Sequence, residues 1–151
     1  LCNKELYHTN SKSNVFLEDY AYSIAMLIDL HESTLKPNYL VNAKKMCIKA
    51  TDLFLIKETA IFQKNKIINN DLFHNAIDIS DHTIPNGNSI MLLNFSRLGM
   101  LDEGKKLSNS LNGYLNVYKS LMLSSLKSIE VYRIKPLKAC QLPLILELLY
   151  Q

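Results

Sequence analysis

Phe16-Leu17-Glu18-Asp19-Tyr20-Ala21-Tyr22-Ser23-Ile24-Ala25-Met26-Leu27-Ile28-Asp29-Leu30 decides the fold class. Phe16, Leu17, Tyr20, Ala21, Ile24, Leu27 and Ile28 recur at three and four, the period of an α-helix. The spacing predicts a helix that begins near Asn14, after a polar stretch broken by Asn10, Ser11 and Ser13, and reaches about Leu30. Its apolar stripe is wide, so the helix is expected to be buried on most sides.

Downstream, Pro37 interrupts the pattern, and Asn38 is the expected N-cap of a second helix running to about Phe54. Leu40, Ala43, Cys47, Ala50 and Phe54 share one face, while Lys44, Lys45 and Lys49 lie mostly on the other. A buried helix backed by an amphipathic one makes a hairpin. Residues 57–84 lose the helical period, and at most Ala60–Phe62 or Lys66–Ile68 supply short strands. Pro85-Asn86-Gly87-Asn88-Ser89 is turn chemistry, and Ile90, Met91, Leu93, Phe95 and Leu98 then restore a helical run with Asn94 as its polar exception.

Gly99 ends that run, and Asp102 with Glu103 opens an amphipathic helix through Leu107, Leu111, Tyr114, Leu115 and Tyr118. Gly113 is expected to break it, with a further helix from about Val117 to Tyr132 before Pro136. Lys138–Tyr150 is a last helical candidate despite Pro143. The order predicts an all-α chain of helical hairpins forming part of an (α/α)6 toroid. A closed ring of six hairpins needs about twice this length, so the ring is expected to be incomplete here. Residues 1–132 are assigned to the partial toroid and 133–151 to a divergent C-terminal tail.

Composition sets bounds. The 151 residues are 48% apolar and 21% charged, enough to bury a core and unlike a disordered chain. The net charge of +3 comes mostly from scattered lysines, with Arg97 and Arg133 the only arginines, so no nucleic-acid partner is expected. No apolar run approaches the roughly 20 residues of a membrane span. The start, Leu-Cys-Asn-Lys-Glu, has neither an apolar core nor a cleavage site of a signal peptide and reads as an interior starting point. Cys2, Cys47 and Cys140 are odd in number and widely spaced, which points to a reducing, cytoplasmic setting and, for Cys47, to a buried structural thiol.

Two clusters place polar groups at the start of a buried helix. Glu18 and Asp19 differ by about 100° around the first helix, so one of them is expected to face a cavity, as acid, base or hydroxyl acceptor. The competing reading is complementation of the helix dipole. Asn86, Asn88 and Ser89 cap exposed amides or shape a ligand site beside them. Tyr20, Tyr22, Tyr39 and Tyr114 are candidates for stacking on a sugar, or else core aromatics. His74, Asp78, Asp81 and His82 cluster before the turn, but their spacing matches no closed metal motif, so Asp81 and His82 are kept as candidate ligand-binding residues and no metal or cofactor is expected. His8 and His31 have no matching partner in the sequence.

At these clusters the chain resembles the C-terminal helical region of the YyaL-type, spermatogenesis-associated family of thioredoxin-domain-containing proteins. Phe16 to Ala21 is similar to that family's Phe-Leu-Glu-Asp-Tyr-Ala element, and Leu30-His31-Glu32 to its Leu-Tyr-Glu helix end. Ile84 to Ser89, continuing through Leu93, Asn94 and Leu98, resembles its Pro-Ser-Gly-Asn-Ser element and the helix after it, with Asn86 where the family has Ser. The likeness runs from about Leu1 to Ile129. It implies a thioredoxin-like domain in the same parent chain and a six-hairpin toroid similar to those of glycosidases and N-acylglucosamine 2-epimerases. It therefore implies a carbohydrate ligand, with the reaction left open since toroids host several chemistries. The alternative is a noncatalytic helical scaffold that supports the thioredoxin-like domain.

Overall fold

The computed structural model describes residues 15–66 and 77–134. Five helices make up most of it: α1 (Leu17–Thr34), α2 (Pro37–Phe54), α3 (Gly87–Leu98), α4 (Leu101–Tyr118) and α5 (Leu123–Ile134). Two short strands, β1 (Leu55–Ile56) and β2 (Ile61–Phe62), pair antiparallel after α2, and a 3₁₀ turn at Lys119–Leu121 joins α4 to α5. The expected strand at Ala60–Phe62 is thus found in shortened form, whereas most of Lys66–Ile68 lies outside the described residues, as do His8, His74, Cys2, Cys140 and Lys138–Tyr150.

The first helix, expected to begin near Asn14, begins at Leu17 with Phe16 at its N-cap, and the Phe16 backbone N–H donates to Asp19 Oδ2 at 3.0 Å. That bond satisfies one of the amides a helix start leaves unpaired. The helix continues past Leu30 to Thr34 and closes on Leu35 in the left-handed region at φ 54°. Pro37 does not precede the second helix but opens it, with Lys36 rather than Asn38 as N-cap, since the first helical position needs no N–H. Gly99, at φ 72°, ends α3 as its pattern requires. Gly113, by contrast, does not break α4, which runs to Tyr118; a glycine weakens a helix by only about 1 kcal/mol, and the buried stripe Gly104, Leu107, Leu111 and Leu115 outweighs it.

Leu17 and Glu18 lie beside Gly87, whereas Asp29 and Glu32 pair with Arg97, so α1 and α3 run parallel. Ser125 meets Ser89, and Tyr132 lies close to Gly104 and donates to the Leu101 carbonyl, so α5 runs parallel to α3 as well. The three helices pack side by side in the order α1, α3, α5, with α2 returning against α1 and α4 against α3. Gly87 permits the close approach of α1 and α3: a Cβ there would stand 2.7 Å from Leu17 Cδ2.

Helix α3 is the centre of the molecule, with nine of its twelve residues buried. Around it Phe54, Phe62 and Phe95 are fully buried, each worth about 2–3 kcal/mol in removed apolar surface. Helix α2 buries Ala43, Cys47, Ala50 and Phe54 and turns Lys44, Lys45 and Lys49 outward. Cys47 is buried, and its thiol is pushed up to about 12 by desolvation and, secondarily, by the charge of Glu103. Among the described residues no helix is long and apolar enough to cross a membrane.

Candidate functional site

Because α1, α3 and α5 are parallel, their N-termini share one end of the molecule, and the segment 77–86 crosses that end. Between it and the start of α1 lies a cleft of about 490 Å³. Phe16, Glu18 and Asp19 form one wall, Ser80 and the run His82 to Asn86 another, and Lys64 and Asp78 complete the lining. Three helix starts at one end concentrate unpaired N–H groups and partial positive charge, and acids and Asn side chains have collected there in response.

Most of those polar groups are engaged in holding the fold. Asp19 caps α1 through the Phe16 amide. The Asn86 side chain accepts from Ser89 N at 3.0 Å and is the true N-cap of α3. Its Nδ2 donates to the Ile79 carbonyl at 3.0 Å and to Asp81 Oδ1 at 2.9 Å. Asp81 in turn caps α5 from a distance in sequence: its Oδ2 accepts from Ser124 N at 2.7 Å, and its Oδ1 accepts from the Ser124 hydroxyl and from Asn86 N. Burial alone would raise the Asp81 carboxyl, but the bonds from Ser124 and Asn86 outweigh it and hold the group below its ordinary value. Ser89 Oγ lies 2.7 Å from Ser125 Oγ, completing a buried knot between α3 and α5.

Asn88 does not cap. It is fully buried, and its amide grips Phe62 on both sides, accepting from Phe62 N and donating to Phe62 O, each at 2.9 Å. This is the pairing a neighbouring strand would provide, supplied by one side chain. Tyr20, 2% exposed and edge-on to Phe54 at 5.6 Å, sits in the core. Of the residues singled out from sequence, the cleft therefore brings together Glu18, Asp19, His82 and Asn86, while Tyr20, Asp81, Asn88 and Ser89 are not in its lining.

Glu18 is the exception among the acids. Its Oε2 is buried and has no hydrogen-bond partner among the described residues, and its Oε1 faces Gly87 at the start of α3. Asp78 is matched by Lys64 Nζ and His82 Nε2, each 3.4 Å from its Oδ2, although His82 itself is 69% exposed. Tyr22, weighed in the sequence as a stacking ring, acts here through its hydroxyl, which donates to the Pro85 carbonyl at 3.0 Å and so ties α1 to the far wall. Desolvation first, then the charges of Glu18 and Asp81, raise the Tyr22 pKa, so it stays a neutral donor. Sequence reading missed Gln63, Ser124 and Ser125; the serines carry no local signal because their partners lie 35 or more residues away. Among the described residues no group of three or more His, Cys, Asp or Glu is arranged to hold a metal ion. Compared with protein-family models and with curated proteins, the chain matches none.

Proposed function

We propose that the described helices are part of an (α/α)6 toroid and that the cleft at their shared N-terminal end binds a carbohydrate, with Glu18 as its hydroxyl acceptor. One observation carries this reading: in a cleft where the other carboxylates cap helices or pair with cations, Glu18 presents a buried oxygen that none of the described residues satisfies. A buried acceptor of that kind is strongly favoured to take an O–H donor. Parallel first helices with return helices behind them are the arrangement successive toroid hairpins require, which supports the same reading. The likeness in sequence adds a parent chain with a thioredoxin-like domain to the proposal. Whether the bound sugar is then processed depends on a second reacting group, for which Asp19, bound to the Phe16 amide, is poorly placed.

The test is calorimetric titration of neutral oligosaccharides into the chain and into two variants. Glu18→Gln is expected to weaken binding about tenfold or more, as for a lost charge-assisted hydrogen bond. Asp19→Asn is expected to cost about 1 kcal/mol of stability while leaving affinity within a factor of two or three. The reverse ranking would move the acceptor to Asp19.

A noncatalytic scaffold is the second reading, favoured by the engagement of Asp19, Asp81, Asn86, Asn88 and Ser89 in bonds that hold elements together. It expects no sugar binding at all and every cleft variant to act through stability alone.

A further inference from the structure

Charge is unevenly distributed in the cleft at the helix starts. Among the described residues of its lining, three carboxylates, Glu18, Asp19 and Asp78, are set against one lysine, Lys64, and one histidine, His82. Both of the basic side chains are drawn to a single acid, since Lys64 Nζ and His82 Nε2 each lie 3.4 Å from Asp78 Oδ2. Asp19 accepts from the Phe16 amide, and Asp81, outside the lining, holds the start of α5 through Ser124. Among the described residues no cation is paired with Glu18.

The two oxygens of Glu18 are placed differently. Oε1 lies 3.4 Å from the point where a Cβ on Gly87 would stand, in the first turn of α3, so the helix dipole answers part of the charge there. Oε2 is buried and has no hydrogen-bond partner among the described residues. An unpaired carboxylate oxygen is costlier to bury than a neutral acceptor, because charge as well as a hydrogen bond goes unanswered. The field of this carboxylate is felt at the cleft wall: the Tyr22 pKa is raised by desolvation first and then by the charges of Glu18 and Asp81. The Gln63 amide, also without partners among the described residues, is not part of the lining.

Resting on the carbohydrate reading of this cleft, we infer that the group seated against Glu18 is a protonated amine, so that the ligand class is an amino sugar. A hydroxyl would supply the hydrogen bond that Oε2 lacks and leave the charge unanswered. An ammonium supplies both, through a charge-assisted bond roughly twice as strong as a neutral one. N-acylation removes that charge and adds bulk at the same carbon, and an acidic or phosphorylated sugar would meet Glu18, Asp19 and Asp78, all of its own sign. Ser80 and Thr83, in the same lining, carry hydroxyls able to donate to and accept from the remaining sugar hydroxyls. The cleft volume of about 490 Å³ falls within the range of small-molecule sites.

The experiment titrates the 151-residue chain with three disaccharides of one β-1,4 backbone that differ at C2: cellobiose with a hydroxyl, diglucosamine with an amine, and diacetylchitobiose with an acetamide. Ethanolamine is the amine without a sugar, and a pH of about 6 keeps the amines protonated. The wild type is expected to bind diglucosamine about tenfold more tightly than cellobiose, and diacetylchitobiose no more tightly than cellobiose. Glu18→Gln is expected to weaken diglucosamine about a hundredfold and cellobiose about tenfold, so that the preference disappears. The wild-type ranking needs no variant. Cellobiose bound as tightly as diglucosamine would overturn the amino-sugar assignment while leaving the carbohydrate reading standing. A preference for diglucosamine that survives in Glu18→Gln would overturn the role of Glu18. Failure of all three disaccharides to bind, or ethanolamine bound as tightly as diglucosamine, would overturn the carbohydrate reading and the amino-sugar assignment together.

Discussion

The two ends of the parallel pair α1 and α3 treat partly buried charge in opposite ways. At the C-terminal end Arg97 reaches from α3 to α1, with Nη2 at 2.6 Å from Asp29 Oδ1 and 2.7 Å from Glu32 Oε2. Nε adds a second bond to Glu32, so the guanidinium meets that carboxylate with both edges of its fork. Burial would lower the Arg97 pKa, yet the bonds to Glu32 and Asp29 raise it, and the charge is fully answered within the fold. At the N-terminal end the caps are equally complete for Asp19, Asn86 and Asp81, but Glu18 and Gln63 are left over. A polar residue that builds the fold is recognisable by its partners, and one that awaits something else by their absence.

That contrast breaks first at Asn88. If its amide substitutes for a strand, Asn88→Ala strands both the N–H and the C=O of Phe62 in the core, and about 3 kcal/mol of stability is expected to be lost in urea unfolding. This exceeds the roughly 1 kcal/mol of a lost helix cap. Asp81→Ala removes a remote cap of α5 and a partner of Asn86, with an expected loss of about 2 kcal/mol near neutral pH. The folded-state value of Asp81 is depressed, so its contribution is complete above the ordinary carboxyl value of 3.8 and vanishes as pH falls through the lower folded value. Unfolding followed in that acid range should therefore show a shallower pH dependence for the variant than for the wild type.

The smallest expected effect sharpens the comparison by its sign. Gly113 lies inside α4, and a Cβ there would meet nothing within 4 Å. Gly113→Ala is expected to raise stability by about 0.5–1 kcal/mol, measurable as a higher melting temperature. A decrease would mean that the open space at this glycine is filled in solution.

What the sequence revealed, and what it hid, follows the range of the interactions. The hairpins were legible because a helix writes its buried face locally, as Ile24, Leu27 and Ile28 do in α1 and Leu107, Leu111 and Leu115 do in α4. The cap at Asn86 was legible for the same reason, since its partner Ser89 is three residues on. Pro37 was misread as lying ahead of its helix because a proline that blocks one helix is well suited to begin the next. Asn88 and Asp81 were noticed but not understood, as their partners Phe62 and Ser124 lie 26 and 43 residues away and nothing local announces the bonds. Gln63 fell in the stretch without period and left no trace until its burial was visible.

Glu18 is proposed as a binding group rather than a structural one. The most direct measurement is the melting temperature of Glu18→Gln beside the wild type, each with and without a saturating neutral sugar. The unliganded variant is expected to melt at or slightly above the wild-type temperature, because the charge on a buried carboxylate oxygen without a partner among the described residues is removed, and the sugar-induced rise expected of the wild type is lost. A variant that melts lower and keeps the full sugar-induced rise would contradict it and make Glu18 one more support of the helix starts.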